Sequence, residues 1–301
     1  MAPGPLEITA PRGGTLQVLV SGPDDGLPFI FHTGTPAGPV ASGPMAETAA
    51  ERGLRTILYA RPGYAGSTPQ PGRRVADAAA DAAAVLDELQ VGRFITAGWS
   101  GGGPHALACA ALLPGRCLAA ACMASPAPHN ADGLDWLEGM GPENIDEYTA
   151  AREGVAALTG FIEDAAGGLA TVTGTEVAAG LGGLLSGVDK ASLSDEFADY
   201  LAASFRAALQ SGIEGWRDDD LAFVSDWGFA PAEASKVPVA VWQGDADLMV
   251  PFSHGAWLAS HVPGARGHLL PGEGHLTLAG RTFGAVLDDL AGMAGLDAAG
   301  R

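Results

Sequence analysis

The sequence predicts an α/β fold, in which a mostly parallel β-sheet is flanked by helices and interrupted by a helical insertion. Strand-like and helix-like segments alternate over the first 127 of the 301 residues, and the alternation returns after residue 236. Between these stretches the pattern is helical, with glycine-rich joints and no strong strand. Strict alternation is typical of a parallel sheet covered by helices on both faces. Hydrophobic residues make up 47% of the chain, which is enough for a large core.

The N-terminal half of the predicted sheet begins with two segments that alternate apolar and polar residues, as a half-exposed hairpin does. Two short apolar runs that end in turn residues then suit buried parallel strands. A helix follows in which apolar residues recur at helical spacing. In order, the segments are strands at 6–10, 15–20, 28–32 and 56–60, a helix at 74–89, a strand at 94–97, a helix at 104–113 and a strand at 117–124.

Residues 128–236 are expected to form a helical cap between two core segments, 1–127 and 237–301. The core resumes with a strand at 237–242, a helix at 253–261, a strand at 267–270 and one closing helix at 276–293. We expect most of the large apolar residues of the cap to form its own core and a minority to line a substrate pocket: Trp136, Phe161, Phe197, Tyr200, Leu201, Phe205, Trp216 and Trp227.

The predicted cap carries most of the acidic excess of the chain. It has 20 Asp and Glu residues against 5 Lys and Arg, so −15 of the net charge of −19 lies there. An acidic protein repels phosphate backbones, which argues against a nucleic-acid partner. The favoured interpretation is a solvated acidic surface. The alternative is a local potential that disfavours strongly anionic substrates.

Other features of the composition point to a cytoplasmic globular protein. The first five residues lack the basic and apolar regions of a secretory signal, and the longest apolar stretches are too short to cross a membrane. Cys109, Cys117 and Cys122 are an odd number at apolar positions, so each is expected to be a buried core residue without a disulfide. Arg greatly outnumbers Lys, and Ala and Gly are abundant, which favours a bacterial source.

A glycine-rich turn carries the strongest chemical signal. Gly98-Trp99-Ser100-Gly101-Gly102 matches G-x-S-x-G between a predicted strand and a predicted helix. In that context the turn presents the serine hydroxyl at the end of the sheet. It also sets the Gly101 amide at a helix N-terminus, where it can stabilise an oxyanion. The alternative is a glycine-rich turn with an incidental serine, which the strand–turn–helix context makes less favoured.

A serine hydroxyl is a weak nucleophile until a base takes its proton. Among the seven histidines, His275 lies in the loop between the last predicted strand and the closing helix. In a parallel sheet that loop emerges at the same edge as the turn bearing Ser100. His105 falls within the helix after Ser100 and is expected to point elsewhere. We therefore expect His275 to be the base, with a surface or core histidine as the alternative.

The imidazole needs an acceptor that fixes its tautomer. Residues 244–251 follow a predicted strand and offer Asp245 and Asp247 at the same sheet edge. Either could be an ordinary turn aspartate, because Asp is favoured in turns. The chain order Ser100, Asp247, His275 is nucleophile, acid, base.

An oxyanion hole needs a second donor besides the Gly101 amide. Residues 32–36, His-Thr-Gly-Thr-Pro, follow the third predicted strand, and their glycine lets the backbone pass close to a substrate. The Thr35 amide is the expected donor, and a simple strand-to-loop turn is the alternative. The histidines and cysteines lack metal-ligand spacing, so neither a metal nor a cofactor is expected.

Over residues 6–293 the chain resembles an α/β-hydrolase fold enzyme with a cap. Residues 32–36 are similar to the family's His-Gly-x-Pro oxyanion loop, with a threonine inserted after the histidine. Residues 61–67 are similar to its Arg/Pro-Gly-x-Gly-x-Ser loop, with Ala65 in place of a glycine and Ala60 in place of an aspartate. Asp247 matches the acid of the family's Gly-x-x-Asp-x-x-Val-Pro loop, which is why it is preferred to Asp245. Gly274-His275 matches the closing histidine loop.

The resemblance implies acyl transfer to water through Ser100, Asp247 and His275, on an ester, thioester or amide of a small, mostly apolar molecule. A serine at position 100 argues against the epoxide hydrolases and dehalogenases of the family, which use an aspartate nucleophile. Trp99 before the serine and Gly101 after it weaken the likeness to proline-trimming peptidases and haloperoxidase-like relatives. Carbon–carbon bond hydrolysis, lactone formation and perhydrolysis are alternatives on the same residues. A catalytically silent ligand-binding protein is the alternative of another class, and the sequence leaves the oligomeric state open.

Overall fold

The computed structural model describes residues 4–40 and 42–295. Residues 1–3, Ala41 and residues 296–301 lie outside the described residues. The expectation of no secretory signal rests partly on the first three residues and therefore falls partly outside the described residues. Among the described residues, no helix is both long and apolar enough to cross a membrane.

The centre of the molecule is an eight-stranded sheet with the strand order β1-β2-β4-β3-β5-β6-β7-β8. Strand β2 runs antiparallel to its neighbours β1 and β4, and the remaining pairs are parallel. This arrangement confirms the predicted α/β architecture. The strands are β1 (Leu6–Thr9), β2 (Thr15–Ser21), β3 (Leu27–His32), β4 (Leu54–Tyr59), β5 (Phe94–Trp99), β6 (Cys117–Met123), β7 (Val239–Gly244) and β8 (Arg266–Leu270).

Twelve α-helices accompany the sheet in the described part of the chain. Helices α4–α9 all belong to the segment between β6 and β7 (residues 124–238, the intervening segment), in which the described residues form no strand. That residues 128–236 form a cap between two core segments stays a prediction. The helices are α1 (Pro44–Glu51), α2 (Asp77–Glu88), α3 (Gly103–Leu112), α4 (Pro142–Glu153), α5 (Val155–Leu169), α6 (Gly174–Gly180), α7 (Gly187–Ser192), α8 (Asp195–Ala208), α9 (Glu214–Phe223), α10 (Phe252–His261), α11 (His275–Gly280) and α12 (Phe283–Met293).

Two helical features differ from the sequence-based expectation. The single closing helix predicted over 276–293 is wrong, because the chain breaks it into α11 and α12. At the break the Thr282 hydroxyl donates to the Leu278 carbonyl at 2.6 Å, an alternative to the regular helical hydrogen bond. Helix α1 was not expected, although Pro44 at its first position is a helix-start signal. Met45 and Ala49, one turn apart, bury its inner face.

The central strands are buried on both faces. All six residues of β5 are buried. In β3, Ile30 packs into the apolar cluster on one face of the sheet, while Phe29 and Phe31 pack into the cluster on the other. Successive side chains of a strand point to opposite faces, so this division follows from the pleat. Burial on two faces explains why these strands are continuous apolar runs in the sequence.

The order of the strands determines which loops meet at the carboxyl edge of the sheet. Strand β3 pairs with β5, and β7 pairs with β8. The loop after His32 therefore lies beside the turn after Trp99, and the loop after Gly244 lies beside the loop after Leu270. Ligands of open α/β sheets bind at this edge, so we expect a functional site here.

Candidate active site

Ser100 occupies the sharp turn between β5 and α3. Its φ is +56°, a left-handed conformation that is uncommon for a residue with a side chain. A Cβ at Gly98 would overlap the Gly102 carbonyl, and a Cβ at Gly102 would overlap the His32 carbonyl. Glycine at both positions is thus required by the close approach of strand and helix. The G-x-S-x-G sequence produces the strained turn that it predicts.

His275 and Asp247 are in direct contact. The Nδ1 atom of His275 lies 2.9 Å from Asp247 Oδ2 and 3.1 Å from Oδ1, and both side chains are buried. A carboxylate only accepts, so Nδ1 carries the proton of the neutral ring. The lone pair on Nε2 is then free to accept another proton. This is the tautomer that a general base acting on a hydroxyl needs.

The carboxylate of Asp247 is itself held in place by its own loop. Its Oδ1 accepts from the Met249 and Val250 amides, both at 2.9 Å, and Gln243 Nε2 donates to Oδ2 at 3.2 Å. Asp245 is exposed and accepts from the Gly272 amide at 2.7 Å, so it joins two loops at the surface. Of the two aspartates weighed in the sequence, the structure brings Asp247 to the histidine.

The backbone of His275 is anchored on both sides. Trp99 Nε1 donates to the His275 carbonyl at 3.2 Å, and the two rings lie 5.3 Å apart. On the other side the Asp189 carboxylate accepts from the His275 amide at 3.2 Å. Asp189 comes from α7 in the intervening segment, and sequence reasoning missed it. It is one of 20 acidic residues there, and its only local signal is the helix-start pattern Ser186-x-x-Asp189, which does not point to His275.

The two expected oxyanion donors lie side by side. Thr35 and Gly101 both line the cavity that contains Ser100. A Cβ at Gly101 would come within 2.9 Å of Thr35 Cβ, so the two loops touch and only glycine fits. The Thr35 hydroxyl donates to the buried Asp219 carboxylate at 2.8 Å.

A buried ionic network lies beneath the Thr35 loop. Arg61 donates to the Thr33 carbonyl at 2.7 Å and to the Gly34 carbonyl at 2.8 Å. The same guanidinium lies 2.6 Å from the Asp219 carboxylate, which also accepts from Tyr64 at 2.8 Å. Burial alone would raise the pKa of Asp219, but its arginine partners hold the pKa well below the usual range. Sequence reasoning placed Arg61 in a family loop and missed Asp219.

Other histidines have structural partners. His254 accepts from the Ala127 amide at 3.1 Å, and its Nε2 lies 2.9 Å from the Trp136 carbonyl. Burial lowers the pKa of His254 to about 4 and that of His105 to about 4. His105 lies within α3, as expected, with Nε2 3.5 Å from Asp219. His275 is the histidine that lines the cavity.

The cavity has a volume of about 270 Å³, and residues of the intervening segment form much of its wall. The expectation that a minority of the large apolar residues considered there would face the pocket is wrong, because five of the eight line it. Helices α5, α8 and α9 place one face of each toward the sheet edge. The five are Phe161, Tyr200, Leu201, Phe205 and Trp216.

The cavity wall also carries charge of one sign. Glu143 and Glu147 line it, and among the described lining residues there is no Lys or Arg. Trp216 Nε1 donates to Glu147 at 2.5 Å. Burial raises the pKa of Glu147, and burial together with Glu147 raises the pKa of Asp220 well above its usual value. Neighbouring Asp218 and Asp219 are buried as well, so this acidic run is not the solvated surface that its sequence suggests.

Comparison with known proteins gives fold relatives. A solved α/β-hydrolase fold protein from Nakamurella multipartita is 21% identical, with 97% of this chain and 100% of that chain covered and a TM-score of 0.65. A thermophilic esterase from Thermogutta terrifontis is 19% identical over 97% and 100%, with a TM-score of 0.66. The enol-lactonase from Burkholderia xenovorans LB400 is 18% identical over 95% and 99%, with a TM-score of 0.66. No curated protein sequence matches the chain significantly.

At such low identity, the similarity to these solved structures shows the fold alone. A match to a family model is more specific. The sequence model described as alpha/beta hydrolase fold matches residues 28–281. That span runs from β3 to the end of α11 and includes Ser100, Asp247 and His275. The chain belongs to the α/β-hydrolase fold family.

Proposed function

We propose that this protein is a serine hydrolase that cleaves a carboxylic ester through a covalent acyl-enzyme. The observation that carries the proposal is the buried contact of His275 Nδ1 with Asp247, in a structure where Ser100 and His275 line one cavity. A histidine oriented by a carboxylate, in one cavity with a serine on a strained turn, is the arrangement from which a hydroxyl can be activated.

The proposed reaction has two halves. His275 Nε2 takes the Ser100 proton as the oxygen attacks the carbonyl carbon, and Asp247 stabilises the imidazolium that forms. The Thr35 and Gly101 amides bind the oxyanion of the tetrahedral intermediate. As the intermediate collapses, the imidazolium gives its proton to the departing alcohol. A water molecule, deprotonated by the same histidine, then attacks the acyl-enzyme carbonyl. As this second tetrahedral intermediate collapses, the bond between the acyl carbon and the Ser100 oxygen breaks, and the imidazolium returns the proton to Ser100, which releases the acid.

The cavity supports a small, largely apolar and uncharged or cationic substrate. Phe161, Leu201 and Phe205 supply apolar wall, and Glu143 and Glu147 would repel a carboxylate or phosphate group. We propose that residues 128–236, which lie within the intervening segment, form a cap that shapes this cavity. Thioesters and amides share the same electrophilic carbonyl and belong to the same proposal.

Hydrolysis of short p-nitrophenyl esters tests the proposal. Ser100→Ala should retain only the residual rate that binding and the oxyanion donors provide, a loss of at least about 10³-fold. Ser260→Ala, at an exposed position of α10, is the control and should hydrolyse the ester as the parent protein does. Equal rates for Ser100→Ala and the parent protein would refute the assignment.

The rival chemistries on the same residues differ in their products. Known structures with this fold include an enol-lactonase and a bromoperoxidase. Product analysis on a panel of esters, lactones, diketones and acid plus peroxide separates hydrolysis of an ester from the alternatives. A silent binding protein of this fold would hydrolyse none of them and would react slowly or not at all with a fluorophosphonate.

A further inference from the structure

Asp189 of α7 contacts three consecutive backbone amides at the start of α11. Its carboxylate accepts from the amides of His275 at 3.2 Å, Leu276 at 2.7 Å and Thr277 at 3.2 Å. The first amides of a helix have no partner within the helix, and a carboxylate there is stabilised by the helix dipole as well. Asp189 thus caps α11 from a distance of 86 residues along the chain.

The contact is built into the surrounding structure. Asp189 has no exposed surface. The Ser186 hydroxyl donates to its Oδ2 at 2.7 Å, which holds the carboxylate toward α11. A Cβ at Gly274 would lie 2.5 Å from the Asp189 carboxylate oxygens, so this close approach requires glycine before His275.

The capped turn carries the proposed base. His275 is the first residue of α11, so its Cα position and the direction of its ring depend on where that first turn sits. The ring is held by Asp247, the carbonyl by Trp99 and the amide by Asp189. Of these three anchors, Asp189 is the one that the intervening segment supplies.

The same part of the intervening segment forms cavity wall. Leu181 and Leu184 line the cavity, and the chain reaches Ser186 and Asp189 a few residues later. The leucines that line the cavity and the carboxylate that holds the start of α11 thus belong to one short stretch of chain.

We propose that Asp189 is a positioning residue for His275, so that docking of α7 against α11 is required for the base to reach Ser100. The proposal rests on the proposed function. A base displaced by about 1 Å is enough to reduce a rate by about 10²-fold. Loss of the contact should therefore lower kcat and leave KM for a small ester nearly unchanged.

The test compares Asp189→Asn with Asp164→Asn, which alters an exposed aspartate of α5 in the same segment. Asp189→Asn should lower kcat for p-nitrophenyl acetate by about 10²-fold. Asp164→Asn should leave kcat unchanged. If Asp189→Asn folds poorly, Ser186→Ala removes the hydroxyl that donates to the carboxylate and accepts from the Asp189 amide at 3.3 Å, and should lower kcat by several-fold. Unchanged kcat in a folded Asp189→Asn, or in Ser186→Ala where the first does not fold, would overturn the proposal.

A double-mutant comparison separates positioning of His275 from a general structural role. The readout is phosphonylation of Ser100 by a fluorophosphonate, followed by mass spectrometry to long reaction times. Asp189→Asn should slow labelling in the parent protein and add nothing in a His275→Ala background, because the group it positions is gone. The same fold-loss in both backgrounds would overturn the proposal. The proposed function fails separately, if the parent protein itself is not labelled at Ser100.

Discussion

The Arg61 guanidinium and the Asp219 carboxylate form a fully buried ion pair, 2.6 Å apart, directly beneath the Thr35 loop. Arg61 lies after β4 in the core of the fold, whereas Asp219 lies on α9 of the intervening segment. The pair joins the two parts of the chain, and Arg61 also donates to two carbonyls of the loop from which the second oxyanion donor is expected.

Removal of the Asp219 charge should destabilise the whole protein. Asp219→Asn leaves Arg61 and Arg73 buried without their anionic partner, which typically lowers the free energy of unfolding by about 3–5 kcal/mol. Chemical denaturation measures the change. The control is Asp288→Asn, which breaks the exposed pair with Arg52 and should lower the free energy by less than about 1 kcal/mol. Similar effects of the two variants would contradict this account.

The choice between the two aspartates after β7 predicts a large asymmetry in activity. Asp247→Asn removes the acceptor that fixes the His275 tautomer and should lower kcat by about 10⁴-fold. Asp245→Asn alters only a surface contact with the Gly272 amide and should retain activity near that of the parent protein. Steady-state hydrolysis of a p-nitrophenyl ester measures both. A loss in Asp245→Asn as large as that in Asp247→Asn would reject the assignment.

The buried carboxyl group of Asp81 should make the free energy of unfolding depend on pH. Burial raises the pKa of Asp81 from 3.8 to about 7. The folded protein therefore binds the proton more tightly than the unfolded chain, and stability falls as the pH rises from about 4 to about 7, by on the order of 4 kcal/mol at most. Asp81→Asn should remove this slope and raise stability at pH 8. The control is Asp87→Asn at an exposed position of the same helix, which should leave the pH dependence of stability unchanged. A pH dependence that persists in Asp81→Asn would contradict the prediction.

The carboxylates of the cavity wall predict a charge preference. Glu143→Gln removes one negative charge from the wall and should raise kcat/KM for an ester with a carboxylate-bearing acyl chain by up to about tenfold, relative to a neutral ester of equal length. Exposed Glu163→Gln on α5 is the matched control. An unchanged ratio between the two esters would show that Glu143 does not act on substrate charge.

The sequence predicts those features that have a local pattern. Alternating and continuous apolar runs identify the strands, because the pleat and two-sided burial act at short range. The glycines around Ser100 signal the turn, since close backbone approach leaves no room for a Cβ. Ser100, Asp247 and His275 each follow a predicted strand, which indicates that all three lie at the same edge of the sheet.

Features that depend on distant partners could not be predicted. Asp189 contacts α11 and Asp219 contacts Arg61 across 86 and 158 residues, and in the sequence both belong to an undistinguished acidic excess. The run Asp218-Asp219-Asp220 has the composition of a solvated surface, yet tertiary partners bury all three. The break between α11 and α12 is likewise not visible in the apolar periodicity of the sequence.

The central claim is that His275 makes the Ser100 hydroxyl nucleophilic. Mass spectrometry of the protein after brief treatment with a fluorophosphonate tests it most directly, because the adduct identifies the reacting side chain. We predict one adduct, on the peptide containing Ser100, formed rapidly in the parent protein and slowed by at least about 10³-fold in His275→Ala. An adduct on another residue, or equal labelling of Ser100 with and without the imidazole, would contradict the account.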